Sequence, residues 1–233
     1  MKKIKTCAII LAAGCGSRMQ LSVTKQQITI AGKSVLHRTL LAFEKCNDID
    51  YIVVVIRPEE MDFVNGVVAE GFAKVANIVI GGSVRAESAF YGFSAIPDDT
   101  DYVAIHDGAR CLITPDMISK IVSDAKKYGA ATAATYLTDT VKKIDENGFA
   151  VKTYDRRFTV TVQTPQIFRK DIYEKAIKNR NFSDSNITDD NMLVEGIGEK
   201  IYCTDVGKNN IKITYASDIK YAEYILSGGV NDV

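Results

Sequence analysis

Short apolar runs alternate with amphipathic stretches through residues 6–136, and this alternation restricts the possible fold more than any other feature. The runs predict strands at 6–11, 51–56, 77–80, 102–106 and 130–136. The amphipathic stretches predict helices near 34–45, 59–70, 85–95 and 115–127. Because the runs are nearly continuous in apolar residues, both faces of each strand are expected to be buried. The sequence therefore predicts an α/β fold, with a Rossmann-like, mostly parallel sheet and helices on both faces.

The regular alternation stops at residues 137–164, which predict a two-stranded hairpin. Its strands, 140–144 and 149–154, flank the strong turn signal Asn147-Gly148. An isolated hairpin is only marginally stable, so we expect this arm to pack on a second subunit. The α/β pattern then resumes to complete one domain over residues 1–233. We expect helices near 169–179, 189–196 and 216–227, and strands near 200–205 and 211–213.

The composition excludes several classes of function. The 29 basic and 29 acidic residues cancel, so no global field favours nucleic acid or an anionic membrane. No run is long enough for a signal peptide or a membrane span, and the 5 cysteines show no metal spacing, so we expect a cytoplasmic protein. With only 2 histidines, a histidine-based metal site is not expected.

The loop after the first strand predicts a phosphate-binding site. Its small residues let the backbone approach a ligand and expose a nest of N–H groups, and they are Ala12, Ala13, Gly14 and Gly16. Arg18 and Lys25 add two cations beside that nest. Prearranged donors of this kind are what the phosphates of a nucleoside triphosphate require.

Two commoner phosphate motifs are excluded. A dinucleotide fingerprint requires glycine where Met19 stands and an acidic residue near the end of the second strand, where this chain has Arg57. A P-loop requires glycine at Gln27. We therefore interpret Gly32-Lys33-Ser34 as a turn, with Ser34 near a helix start.

Two further loops are expected at the same edge of the sheet, because ligands bind at the carboxyl ends of parallel strands. After the third strand, Gly82 can lie against the flat base of a nucleotide, and a helix that carries Arg85 and Ser88 begins. A glycine turn with a capping serine is the structural alternative for this segment. After the fourth strand, Asp107 can hold Mg²⁺ or a sugar hydroxyl, or form a structural pair with Arg110. The neighbouring His106 is expected in the core or as an orienting residue rather than as a base.

Three later groups could form a second anion site, although each also has a structural interpretation. Arg156 and Arg157 could be surface charge, Thr164 could cap a helix, and Lys212 could be an edge-strand lysine.

Seven motifs occur in one order: Leu-Ala-Ala-Gly-x-Gly-Ser-Arg-Met with a following Lys-Gln, Gly-Gly-x-x-Arg-x-x-Ser, His-Asp-Gly-Ala-Arg, Asp139-Thr140, Gln-Thr-Pro-Gln, Thr188-Asp189-Asp190 and Asn-Ile-Lys-Ile-Thr. From about residue 4 to 228 the chain resembles the 2-C-methyl-D-erythritol 4-phosphate cytidylyltransferase family of the non-mevalonate isoprenoid pathway. That resemblance implies transfer of CMP from CTP to the polyol phosphate, with release of diphosphate.

The resemblance also implies residue roles. Arg18 and Lys25 would stabilise the transition state. Arg156, with Arg157 as the alternative, and Lys212 would position the acceptor phosphate. The nucleotide would contact Ala12, Ala13, Gly14, Gly16, Gly82, Arg85, Ser88 and Gly108. The acceptor would contact Asp107, Arg110, Thr140 and Thr164. Mg²⁺ would bridge oxygens of the triphosphate, with Asp107 as its candidate protein ligand. An arm at about 138–157 would join two chains into a homodimer in which each chain completes the other's site.

The chain departs from the family pattern at Thr24, where proline is usual, and this change is expected to loosen the loop that carries Lys25. A ribitol 5-phosphate cytidylyltransferase is the nearest alternative, but Ala12-Ala13-Gly14 and Asp155-Arg156 favour methylerythritol. A nucleotide-binding regulatory module without catalysis would lose the cations that this chain keeps.

Overall fold

The computed structural model describes residues 3–14, 24–178 and 187–229. Its strands are β1 (Thr6–Leu11), β2 (Thr29–Ile30), β3 (Lys33–Ser34), β4 (Tyr51–Ile56), β5 (Val75–Ile80), β6 (Tyr102–Asp107), β7 (Ala130–Tyr136), β8 (Lys142–Ile144), β9 (Ala150–Thr153), β10 (Val160–Arg169) and β11 (Tyr202–Asp205). Its helices are α1 (Val35–Lys45), α2 (Met61–Val68), α3 (Arg85–Ser94), α4 (Pro115–Tyr128), α5 (Lys170–Lys178), α6 (Asp190–Gly196) and α7 (Ala216–Leu226).

A seven-stranded sheet in the order β11-β7-β10-β6-β1-β4-β5 forms the centre of the fold. Strand β1 pairs in parallel with β4 and β6, and β4 pairs in parallel with β5. Only β10 runs antiparallel to its neighbours β6 and β7 within this described sheet. Every residue of β1 and β6 is buried, as their continuous apolar runs require. The predicted α/β architecture with a mostly parallel sheet is confirmed.

Helix starts follow local capping chemistry. The Ser34 hydroxyl accepts a hydrogen bond from the His37 N–H, and the Thr114 hydroxyl accepts one from Met117 before Pro115 opens α4. The predicted helix start near Ser34 and the predicted helix near 115–127 are confirmed. Among the described residues, no helix combines the length and apolar character needed to cross a membrane.

Two predictions about the second half of the chain are wrong. Thr164 does not cap a helix, because it lies within β10, where its hydroxyl accepts the Asp107 N–H at 3.0 Å. Residues 211–213 form no strand. The Ile213 N–H instead donates to the Ala109 carbonyl at 2.9 Å, so the segment is bound to the loop after β6 rather than along a sheet edge.

The predicted hairpin is confirmed as the β8–β9 pair. Its turn holds Gly148 at a φ of +88°, a conformation that glycine adopts without strain. All residues of β8 and β9 are exposed, and Phe149 beside the turn is 71% exposed. The apolar side chains of this arm therefore lack cover within the described part of their own chain.

Candidate active site

A cleft of about 580 Å³ lies at the carboxyl ends of β1, β4, β5 and β6. The predicted site residues that line it are Ala13, Gly14, Lys25, Gly82, Arg85, Ser88, Asp107 and Lys212. Three of them are cations from separate parts of the chain. The cleft also includes Gln26, Arg57 and Pro58, which our sequence analysis did not propose as site residues. The sequence carried two signals for them, since Gln26 belongs to the Lys-Gln pair of the first motif and Arg57 directly follows a predicted strand.

Asp107, the last residue of β6, is surrounded by three cations. Its carboxylate lies 3.0 Å from Lys212 Nζ, 3.4 Å from Arg110 Nε and 3.5 Å from Arg85 Nε. Burial raises the pKa of Asp107, but the charges of Arg85, Lys212 and Arg110 outweigh burial and hold it well below its usual range. The carboxylate is therefore ionised at neutral pH and positions the three cations at the cleft.

Arg85 is held from its other side by Asp190. Arg85 Nη1 donates to Asp190 Oδ2 at 2.6 Å, and the Tyr173 hydroxyl donates to Asp190 Oδ1 at 2.7 Å. Asp190 is 1% exposed, so the carboxylate of this pair is buried, while Arg85 reaches the cleft. The sequence motif contained Asp190, but its position at a helix start is also that of an ordinary cap. The cap is in fact Asp189, which accepts from Met192.

Asp107 is held in place by a buried chain of hydrogen bonds that runs through Thr164 to His106. Thr164 Oγ1 lies 3.2 Å from His106 Nδ1, and His106 Nε2 lies 3.3 Å from the Arg110 carbonyl. Since that carbonyl can only accept, the geometry assigns the proton to Nε2 and leaves Nδ1 to accept from Thr164. Burial lowers the pKa of His106 to about 3, which fits a neutral orienting ring.

We expect the ring C–H resonances of His106 to stay constant between about pH 5 and pH 8 in NMR titrations. The urea-unfolded chain is the control, because its histidines should titrate at about pH 6.5. In the unfolded chain the His106 ring takes up a proton near pH ~6.5, whereas in the folded chain it does so only near pH 3. Between these two pH values the unfolded state binds more protons, so the contribution of His106 to the free energy of unfolding rises with pH. A folded-state midpoint near that of the unfolded chain would contradict a buried neutral ring.

The backbone of the first loop is only partly available to a ligand. The Ala12 N–H donates to the Val55 carbonyl at 2.7 Å, so the expectation that this amide joins a phosphate nest is wrong. The Gly108 N–H is likewise bonded to the Leu11 carbonyl at 2.8 Å. Ala13 also lies close to the loop after β5. A Cβ on Gly81 in that loop would lie 2.6 Å from the Ala13 Cβ, so position 81 requires glycine.

Ser88 supports the glycine loop while facing the cleft. Its hydroxyl accepts the Gly82 N–H at 3.1 Å, and a Cβ on Gly81 would lie 2.8 Å from Ser88 Oγ. The side chain therefore combines the two interpretations given above, as a loop-holding serine and as part of the cleft wall.

The remaining candidates do not line this cleft within one chain. Arg156 lies beyond the hairpin, where Nη1 donates to the Thr138 carbonyl at 2.6 Å, and Thr140 is exposed just before β8. Arg157, the alternative, pairs with Asp155 at 2.6 Å. Gly16 and Arg18 lie outside the described residues.

Comparisons with known proteins agree over nearly the whole chain. A family model described as IspD, 2-C-methyl-D-erythritol 4-phosphate cytidylyltransferase, matches residues 6–228. A relative of that name from Clostridium perfringens (strain SM101 / Type A) is 37% identical, with 95% of this chain and 99% of the relative covered. One from Caldanaerobacter subterraneus subsp. tengcongensis is 39% identical, with 94% and 97% covered. The crystal structure of 4-diphosphocytidyl-2C-methyl-D-erythritol synthase from Anaerococcus prevotii has a TM-score of 0.86 and 31% identity, with 96% of each chain covered.

Proposed function

The chain belongs to the 2-C-methyl-D-erythritol 4-phosphate cytidylyltransferase family, and from this premise we propose that its cleft is where CTP and the polyol phosphate react. The enzyme transfers CMP from CTP to 2-C-methyl-D-erythritol 4-phosphate, which yields diphosphate and 4-diphosphocytidyl-2-C-methyl-D-erythritol. One observation carries the assignment of the site: Lys25, Arg85 and Lys212 come from three distant segments and line one cleft beside Asp107.

The chemistry explains why the site is cationic. A phosphate oxygen of the acceptor attacks the α-phosphorus of CTP, the bond from that phosphorus to the bridging oxygen breaks, and diphosphate leaves. Two anions must be brought into line, and the charge that develops must meet donors already in place. We assign transition-state stabilisation to Lys25 together with Arg18. Lys212, held 3.0 Å from Asp107, is assigned to the acceptor phosphate.

We further propose that Mg²⁺ enters the cleft with the triphosphate. Across the described residues, no group of three or more His, Cys, Asp or Glu side chains could hold a metal ion, and Asp107 is the one carboxylate among the described residues that line the cleft. This donor set fits an ion held mainly by phosphate oxygens, with Asp107 as its protein ligand. A bound ion would neutralise phosphate charge, while the cations of the chain orient the two substrates.

Diphosphate release tests the function directly. The protein is incubated with CTP, Mg²⁺ and either 2-C-methyl-D-erythritol 4-phosphate or ribitol 5-phosphate, with a sample lacking acceptor as the control. We expect release with the methylerythritol acceptor. Release with ribitol phosphate alone would support the alternative, and no release with either would refute the transfer reaction. A cytoplasmic location stays a prediction.

We also propose a homodimer joined through the arm at 138–157, with Thr140 and Arg156 completing the partner's site. Exposed apolar side chains support this, with Ile144 at 58% and Val151 at 57% in the arm and Phe158, directly after it, at 85% exposure. Exposed apolar surface of this kind is typical of protein interfaces. Such an arrangement would explain why Arg156 lies away from the cleft of its own chain.

Deleting residues 142–152 is expected to give monomers whose kcat is at least ~10-fold lower. Without the dimer, the acceptor site would lose the Arg156 guanidinium that we propose the partner supplies. Sedimentation velocity reports the mass, and diphosphate release reports the activity. Replacing Asn147 by aspartate at the exposed hairpin turn is a control that keeps the arm. A fully active monomer would exclude the shared site.

A further inference from the structure

The residue immediately before Lys25 is bound to a buried carboxylate from another part of the fold. The Thr24 hydroxyl donates a hydrogen bond to Glu60 Oε1, and Glu60 is 1% exposed. Glu60 directly precedes α2, yet its side chain makes no capping hydrogen bond to that helix. Its second oxygen, Oε2, has no hydrogen-bond partner among the described residues. A carboxylate this deeply buried requires a donor, so the bond to Thr24 is energetically important.

This bond connects two walls of the cleft. Glu60 closes the short turn Pro58–Glu60, and Pro58 lines the cleft together with Lys25. On the other side of Lys25, the chain is fixed to the start of α1, since the Leu36 N–H donates to the Gln26 carbonyl at 3.1 Å. Lys25 therefore lies between two anchors, one at α1 and one at the residue before α2.

We propose that the Thr24–Glu60 hydrogen bond positions the Lys25 ammonium in the cleft, which makes Thr24 and Glu60 positioning residues for the transfer reaction. This role rests on the proposed function. Threonine in place of the family's usual proline was expected to loosen the loop carrying Lys25, whereas the Thr24 hydroxyl supplies a restraint on that loop. The bond reaches Lys25 through one peptide unit, so its loss displaces the cation without removing it.

Thr24→Val removes the donor while keeping the shape of the side chain. We expect kcat to fall roughly 10-fold, the scale of one hydrogen bond to a charged group, with KM for the polyol phosphate little changed. Thr24→Ser keeps the hydroxyl and should restore kcat. Thr100→Val is the control for the loss of a threonine hydroxyl, because the Thr100 hydroxyl is buried and has no partner among the described residues, so this change breaks no hydrogen bond. Equal kcat for Thr24→Val and the wild type would overturn the proposal.

A Lys25→Ala background separates positioning from general damage. If Thr24 acts through Lys25, Thr24→Val should cause no further loss of kcat once the ammonium is gone. A further loss of about 10-fold in the double variant would mean that Thr24 acts by another route, and would overturn the proposal.

Hydrogen exchange gives a readout that does not depend on turnover. The Gln27 N–H donates to the Thr24 carbonyl at 3.0 Å, so loss of the restraint should speed exchange in peptide 24–28 by roughly 10-fold in Thr24→Val, while β1 stays protected. Unchanged exchange would overturn the restraint even if the wild type released no diphosphate. Failure of the wild type to release diphosphate, with faster exchange in the variant, would refute the proposed function alone.

Discussion

Replacing Lys25 by alanine is expected to lower kcat at least ~10²-fold, the scale for losing one prearranged donor to a developing charge. The side chain lines the cleft on the segment between Thr24 and α1, and we assign it to the transition state rather than to ground-state binding. KM for CTP should therefore change much less than kcat. Steady-state diphosphate release with each substrate varied in turn gives both constants.

The matched control for this variant is Lys45→Ala, an exposed lysine in the last turn of α1. Both variants should unfold at temperatures close to the wild type, because Lys25 lines the cleft and Lys45 is exposed, so neither change leaves a cavity in the hydrophobic core. Unchanged turnover in Lys25→Ala would remove this residue from the mechanism. A matching loss of turnover and thermal stability would point instead to damage of the fold.

Asp107→Asn should lower kcat/KM by at least ~10²-fold and also destabilise the protein. The carboxylate faces Arg85, Arg110 and Lys212, and an uncharged side chain would leave three cations without their shared counter-charge. Breaking a buried ion pair from one side costs about 3 kcal/mol of unfolding free energy. Chemical unfolding measures that cost, and diphosphate release measures the kinetic loss. Wild-type values in both would refute a central role for Asp107.

The sign of the pH dependence follows from the same contacts. Because the folded-state pKa of Asp107 lies below its unfolded value, its contribution to stability is present above about pH 4 and is lost as pH falls through the folded pKa. The Asn variant should therefore lose more stability at neutral pH than at low pH. Asp116→Asn, at an exposed position in the first turn of α4, serves as the control.

The sequence predicted those parts of the site that depend on local pattern. Apolar runs identified β1 and β6, and parallel strands bring their carboxyl ends to one edge, so Gly14 and Asp107 could be placed together before any coordinates. Caps at Ser34 and Thr114 were predictable because a side-chain oxygen bonds an amide three residues later.

The parts that sequence analysis missed depend on contacts between distant residues. Arg85 meets Asp190 across 105 positions, and no local pattern encodes that pairing. Thr164-Pro165 has the local appearance of a helix start, but β10 inserts between β6 and β7 and uses Thr164 to hold Asp107. Lys212 reaches Asp107 from a segment without strand structure, so the predicted strand at 211–213 was wrong although Lys212 does line the cleft.

The exposed β8–β9 arm has a consequence for how activity depends on concentration. A hairpin that buries none of its own strand residues gains little order alone, so in the proposed dimer its conformation is stabilised mainly when two chains meet. Turnover per chain would then decline on dilution, and the amount of enzyme made by a cell would set the fraction of competent sites as well as their number.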